Sequence, residues 1–185
     1  ATLSELEAIH DAMPAALAVA VTLAAWGGLR DGEIRALRSG DLELARDDEG
    51  HPTACVVHVR RAVSKANADD GGVTFKAPKT RAGVRDVAMP PHTVAELATH
   101  LEKFADPAGL LLPAPRTARG TRNPAMSHGY LNARYAAARA AAADGLDPAA
   151  AGKLLQRALD AARADAERDG QRRTGPCLAV GKQCH

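Results

Sequence analysis

The side chains that could do chemistry in this sequence are mostly cations in two groups. Lys76, Lys79, Arg81 and Arg85 lie close together, and the stretch from Pro107 to Ala143 contains no acid while carrying Arg116, Arg119, Arg122, Arg134 and Arg139. Clusters of one sign are the footprint of a polyanionic partner. Solvated loops and helix faces produce the same letters, so composition alone leaves both readings open. The formal net charge of +2 over 185 residues does not identify a nucleic-acid binder. Cys55, Cys177 and Cys184 are irregularly spaced, with no C-x-x-C pair. Cys55 sits in an apolar run and reads as a buried thiol. Cys177, Cys184 and His185 do not have a zinc-site spacing, so no metal and no cofactor are expected.

These cations need a scaffold, and the hydrophobic pattern supplies one. Thr2 followed by Glu5 reads as a capping box ahead of Leu3, Leu6, Ile9 and Met13. Pro14 opens an apolar helix through Leu23 to Trp26, broken by Gly27-Gly28, and Asp31 can cap a short helix with Ile34 and Leu37 inward. Ala54 to Val63, Val73 to Lys76 and Val84 to Met89 read as three strands, the last two joined by a turn around Lys79 to Gly83. Pro90-Pro91 starts a helix with Val94, Leu97, Leu101 and Phe104 on one face, and Ser127 caps an Ala-rich helix holding Leu131 and Tyr135. Asp147-Pro148 starts a further helix with Leu155 and Leu159, and from Gly170 onward a basic tail lacks periodicity. The expected fold is α+β: mostly helical, with a small three-stranded antiparallel sheet. The expected organisation is one domain over residues 1–143, followed by a divergent helix and tail over 144–185. The apolar run from Ala15 to Trp26 is too short to cross a membrane and no signal peptide is present, so a reduced, cytoplasmic protein with no membrane partner is expected.

The segment Gly28-Leu29-Arg30-Asp31-Gly32-Glu33-Ile34-Arg35-Ala36-Leu37, closing at Asp41-Leu42, resembles the first box of the tyrosine recombinases, or phage integrases: G-L-R-x-G-E-(I/L)-x-x-L and an Asp-hydrophobic pair. Ala77-Pro78-Lys79-Thr80 through Arg85, Val87, Met89 and Pro90 resembles the same family's P-K-T-x-x-x-x-R-x-V-x-(L/M)-P hairpin. The resemblance covers residues 2 to about 139. It implies a partial recombinase catalytic domain in which Arg30 is the first catalytic arginine, Glu33 a structural acid and Lys79 the catalytic lysine at a hairpin tip. Lys76, Arg81 and Arg85 would then contact DNA. Enzymes of this family attack a DNA phosphodiester with a tyrosine hydroxyl, giving a 3′-phosphotyrosine and a free 5′-hydroxyl without a metal. Protein cations must therefore offset the charge on the phosphate oxygens, which suits arginine's planar fork. A lysine in the minor groove can protonate the leaving 5′ oxygen.

The family's second box, H-x-L-R-H, is not found. His58-Val59-Arg60-Arg61 shares letters with it but precedes Lys79 and lies in a strand. The only tyrosines, Tyr130 and Tyr135, fall in the helix that precedes the second box in the family. Residues 140–185 take the place of the missing half without resembling it, and the family's separate N-terminal clamping domain is not seen. The resemblance therefore implies a DNA-binding remnant, catalytically incompetent alone. Its partner would be double-stranded DNA, with an intact integrase or other protomers on that DNA. The alternative is an active integrase that cleaves DNA through a 3′-phosphotyrosine.

Overall fold

A computed structural model describes residues 2–64, 74–78, 83–105, 109–114, 125–143 and 145. Helix α1 (Leu3–Ala12) starts at the expected capping box: Thr2 N–H donates to Glu5 Oε2 and Glu5 N–H to Thr2 Oγ1. Helix α2 (Ala15–Ala25) buries every residue from Leu17 to Leu23. A helix apolar on all sides belongs at the centre of a fold, and α2 packs against α1, the short α3 (Asp31–Ile34) and α4 (Pro91–Lys103). Helix α4 begins at Pro90-Pro91 and buries Val94 and Leu97. Helix α5 (His128–Ala143) lies on α1 and starts where Ser127 Oγ accepts from Tyr130 N–H. Among the described residues no helix is long and apolar enough to cross a membrane.

The fold is α+β, and its three-stranded antiparallel sheet has a composition different from the one expected. Its order is β1 (Leu42–Arg46), β2 (Pro52–Val59), β5 (Arg85–Ala88). Strand β1 was not expected. Its sequence, Leu-Glu-Leu-Ala-Arg, has weak strand propensity, and pairing of Leu42 with Val57 and Leu44 with Cys55 decides its state. The run from Ala54 to Val63 is not one strand. It breaks after Val59, and β3 (Ala62–Ser64) pairs instead with β4 (Thr74–Lys76) in a separate two-stranded ribbon. The break falls at two arginines pulled apart: Arg60 bonds Arg85 O and Asp86, whereas Arg61 pairs with the nearly buried Asp41.

The inner face of β2 presents Cys55, Val57 and Val59 to α4, all at most 1% exposed. Burial pushes the Cys55 thiol up to about 11, so it stays protonated. His100 on α4 is 3% exposed, with Nε2 2.9 Å from Leu111 O. A carbonyl only accepts, so this nitrogen carries the proton, and burial lowers the pKa and keeps the ring neutral.

Three helices meet at a polar contact that gives the fold a pH signature. His10 of α1 donates through Nε2 to Glu96 of α4 at 2.9 Å, and Thr22 of α2 donates to the other oxygen at 2.7 Å. The Glu96 hydrogen bond, opposed by partial burial, raises His10 to about 9. Burial pushes Glu96 up, but its bonds to His10 and Thr22 outweigh this and lower it. A raised histidine stabilises fully below its unfolded value of about 6.5 and loses that contribution as pH climbs through about 9. With His10 one-third exposed, solvent screening leaves about 1–2 kcal/mol of this effect. Urea unfolding should therefore weaken by that amount between pH 6.5 and 9, and the decline should disappear in His10→Gln. A decline of the same size in His10→Gln would assign it to other groups.

Candidate functional site

Arg30 is the N-cap of α3, with extended backbone (φ −79°, ψ 153°). Asp31, expected to cap, is instead the first helical residue. The cap fell to Arg30 because Glu33 reaches back: its Oε2 accepts the Arg30 N–H at 2.9 Å. Glu33 is only 3% exposed, and Arg85 from β5 meets it fork to fork, Nη1 to Oε1 at 3.1 Å and Nη2 to Oε2 at 3.0 Å. Burial pushes the Glu33 carboxyl up, but the bonds from Arg85 and Arg30 outweigh it and hold the group below its usual value. Arg85 also donates to Gly83 O and Gly28 O, each at 3.3 Å. One guanidinium thus joins β5, the turn before Arg30 and the buried acid of α3. Gly28 has φ +60°, a conformation that L side chains rarely adopt.

This clamp faces Arg30 outward. The side chain is exposed, and its guanidinium forms no hydrogen bond or ion pair with the described residues. Gly32 lets the next piece approach: a Cβ there would sit 3.0 Å from Val63 O, so α3 rests tightly against β3. The β3–β4 ribbon carries Lys76, exposed and paired in register with Ala62. Beyond β4, a Cβ on Gly83 would lie 2.5 Å from Pro78 Cβ, so the two described ends around residues 79–82 are in contact. Lys79 and Arg81 lie outside the described residues. Of the expected site residues, the structure therefore brings Arg30, Arg85 and the Lys76 ribbon around α3. It places Arg85 in an internal clamp with 31% of its side chain exposed.

Sequence reading missed a second clamp on the other side of α3. Arg35, 7% exposed, donates Nε to Asp31 Oδ2 at 2.9 Å and Nη1 to Met126 O at 3.1 Å. The same Asp31 oxygen accepts from His128 Nδ1 at 2.9 Å, and the Asn132 amide sits 2.9 Å from His128 Nε2. The four-residue spacing of Asp31 and Arg35 was visible in the sequence; the partners on α5 were not.

The acid-free arginine stretch does not form one outward patch. Arg134 is 8% exposed on the inner side of α5, 4.9 Å from the centroid of the Tyr130 ring, with Nη2 on the Tyr130 hydroxyl at 3.2 Å. Arg139 is exposed, and Arg116, Arg119 and Arg122 lie outside the described residues. Tyr135 lines an apolar groove with Leu6, Met13 and Leu131. His58 faces outward from β2, its two ring nitrogens on Asp86 (2.8 Å) and Glu43 (3.1 Å), and these bonds raise its pKa. Asp47, Glu49 and His51 cluster at the surface, where Asp47 Oδ1 accepts from the Glu49 and His51 backbone. Those bonds account for the cluster as a turn. Cys177, Cys184 and His185 lie outside the described residues.

Two proteins of Mycobacterium tuberculosis, from strains CDC 1551 / Oshkosh and ATCC 25618 / H37Rv, are named as the integrase of prophage phiRv2. Each is 39% identical to the chain over 107 residues, which is 58% of this chain and 26% of theirs. The chain is thus integrase-like in sequence and spans about a quarter of the length of these relatives. No family model matches the chain, and no solved structure matches it.

Proposed function

We propose that this chain is the phosphate-gripping part of a site-specific DNA integrase of the tyrosine-recombinase type, a DNA-binding remnant that does not recombine DNA by itself. The observation that carries this reading is the Arg30 guanidinium: exposed, with no hydrogen bond or ion pair to the described residues, and presented by a turn clamped on the Glu33–Arg85 ion pair. The 39% identity to proteins named as integrases supports the same reading. Arg30 would neutralise a phosphate oxygen of duplex DNA. Lys79, three positions after Lys76 in sequence, would follow the minor groove and protonate a leaving 5′ oxygen. Lys76 and Arg81 would add phosphate contacts. Arg85 would serve chiefly by holding the turn and touch DNA only with its exposed third.

The proposed incompetence is supported by what the sequence offers as a nucleophile: Tyr130 and Tyr135, neither in the family's late position. The Tyr130 hydroxyl is engaged by Arg134 and its ring is part-buried, while Tyr135 faces an apolar groove. The sequence contains no H-x-L-R-H motif to supply a second arginine. Absence of one such donor costs on the order of 3 kcal/mol, a few hundredfold in rate. Phosphate contacts position a protein without reading bases, so affinity should be salt-steep and weakly sequence-dependent.

The test is duplex binding across a salt series. Arg30→Ala with Lys79→Ala should lower affinity roughly a hundredfold at low salt and flatten the log–log salt slope by about two. Undiminished binding in the double variant would mean that the DNA surface is misplaced. A nicked suicide duplex probes the alternative of an active integrase: a covalent protein–DNA band, lost in Tyr130→Phe or Tyr135→Phe, would establish it.

A further inference from the structure

Helix α3 has four residues, far too few to hold its shape without tertiary support. The conformation of Arg30 at its cap is therefore set by what grips the two acids behind it. Glu33 is gripped from the sheet by Arg85. Asp31 is gripped from within by Arg35 and from α5 by His128, all three contacts at 2.9 Å and all on the one oxygen, Oδ2. Arg35 closes the loop by donating to Met126 O, two residues before His128. A carboxylate only accepts, so His128 Nδ1 bears a proton, and the Asn132 amide sits 2.9 Å from Nε2 and orients the ring.

We infer that Asp31 and His128 are positioning residues for Arg30, a latch through which the seating of α5 sets how the arginine is presented to a phosphate. The inference rests on the phosphate-binding reading for its purpose, but the latch itself is read independently of DNA. Its sign is distinctive. Asp31 is an acid next to the proposed phosphate-binding cation, so electrostatics alone says that removing its charge strengthens DNA binding. As a latch, it weakens binding when removed, despite the gain of one unit of positive charge.

The experiment uses the full chain and two readouts. Hydrogen exchange over residues 28–35 reports the latch, and affinity for a short duplex at fixed salt reports its use. His128 is half exposed, so His128→Ala should fold. It should speed exchange over 28–35 about three- to tenfold, the net value of one ordinary intramolecular hydrogen bond at a half-exposed site, and weaken duplex binding by a similar factor. His128→Asn, whose amide can stand in for the Nδ1–H donor, should restore both. Asp31→Asn should weaken binding. Unchanged exchange in His128→Ala overturns the latch, as does tighter DNA binding by Asp31→Asn. Faster exchange in His128→Ala, rescued by Asn, sustains the latch even where Arg30→Ala leaves duplex affinity untouched; that last result would instead defeat the phosphate reading.

Discussion

Arg85→Ala is expected to lower the unfolding free energy by about 3 kcal/mol at neutral pH. Removing one partner of a buried pair leaves the other charge uncompensated, which costs about 3–5 kcal/mol. Here the stranded group is Glu33, 3% exposed, while Arg85 is 31% exposed, and this partial solvation points to the lower end of the range. The burial asymmetry predicts unequal single variants. Glu33→Gln strands an arginine that can turn to water and should cost less, about 1–2 kcal/mol. Glu33 also carries a pH signature. Its folded pKa is lowered, so its contribution is present above the unfolded value of about 4.5 and is lost as pH falls through the folded one. Urea midpoints of both variants, with the slope checked for constancy, test this directly. A larger loss in Glu33→Gln than in Arg85→Ala would contradict the assignment of the buried partner. Because Arg85 also holds Gly28 and Gly83, Arg85→Ala should weaken duplex binding even where the protein remains folded.

Arg134→Met is expected to act in the opposite direction, raising stability by about 1–3 kcal/mol. Arg134 is 8% exposed and has no carboxylate among the described residues; its Nε is buried without a partner. A buried cation without a counter-charge costs several kcal/mol. Among the described residues, the contacts that offset this are a hydrogen bond to the Tyr130 hydroxyl and the approach to its ring, together about 1–3 kcal/mol. Methionine fills similar space without the charge. The same variant separates inner from outer arginines, since duplex affinity should stay at the parental level if Arg134 faces the core and not DNA. A lower urea midpoint would mean that the contacts with Tyr130 outweigh desolvation. A drop in affinity at unchanged stability would return Arg134 to the DNA surface.

The elements that need only local information were legible in the chain. The Thr2–Glu5 capping box, the Pro90-Pro91 helix start and the Ser127 cap are written in residue types a few positions apart, and each is present. So is the all-apolar α2, because a helix lacking a polar side has nowhere to lie but inside. Cys55 as a buried thiol was equally plain, and the buried Glu33 is the acid that the family resemblance implied to be structural.

The remaining features depended on partners distant in sequence. Strand β1 exists because β2 supplies its ladder, and the break at Arg60-Arg61 because Asp86 and Asp41 pull the two guanidiniums apart. The basic letters could not say which arginines face water: Arg30 does, Arg85 is drawn 52 positions back to Glu33, and Arg134 turns inward. Charge type is fixed by the residue, but a cation's use as clamp, core or phosphate contact depends on whether an acid lies within about 3 Å. In this chain those acids come from other elements, so the sequence determined that an arginine stands at the start of α3, and tertiary structure alone decided what holds it there.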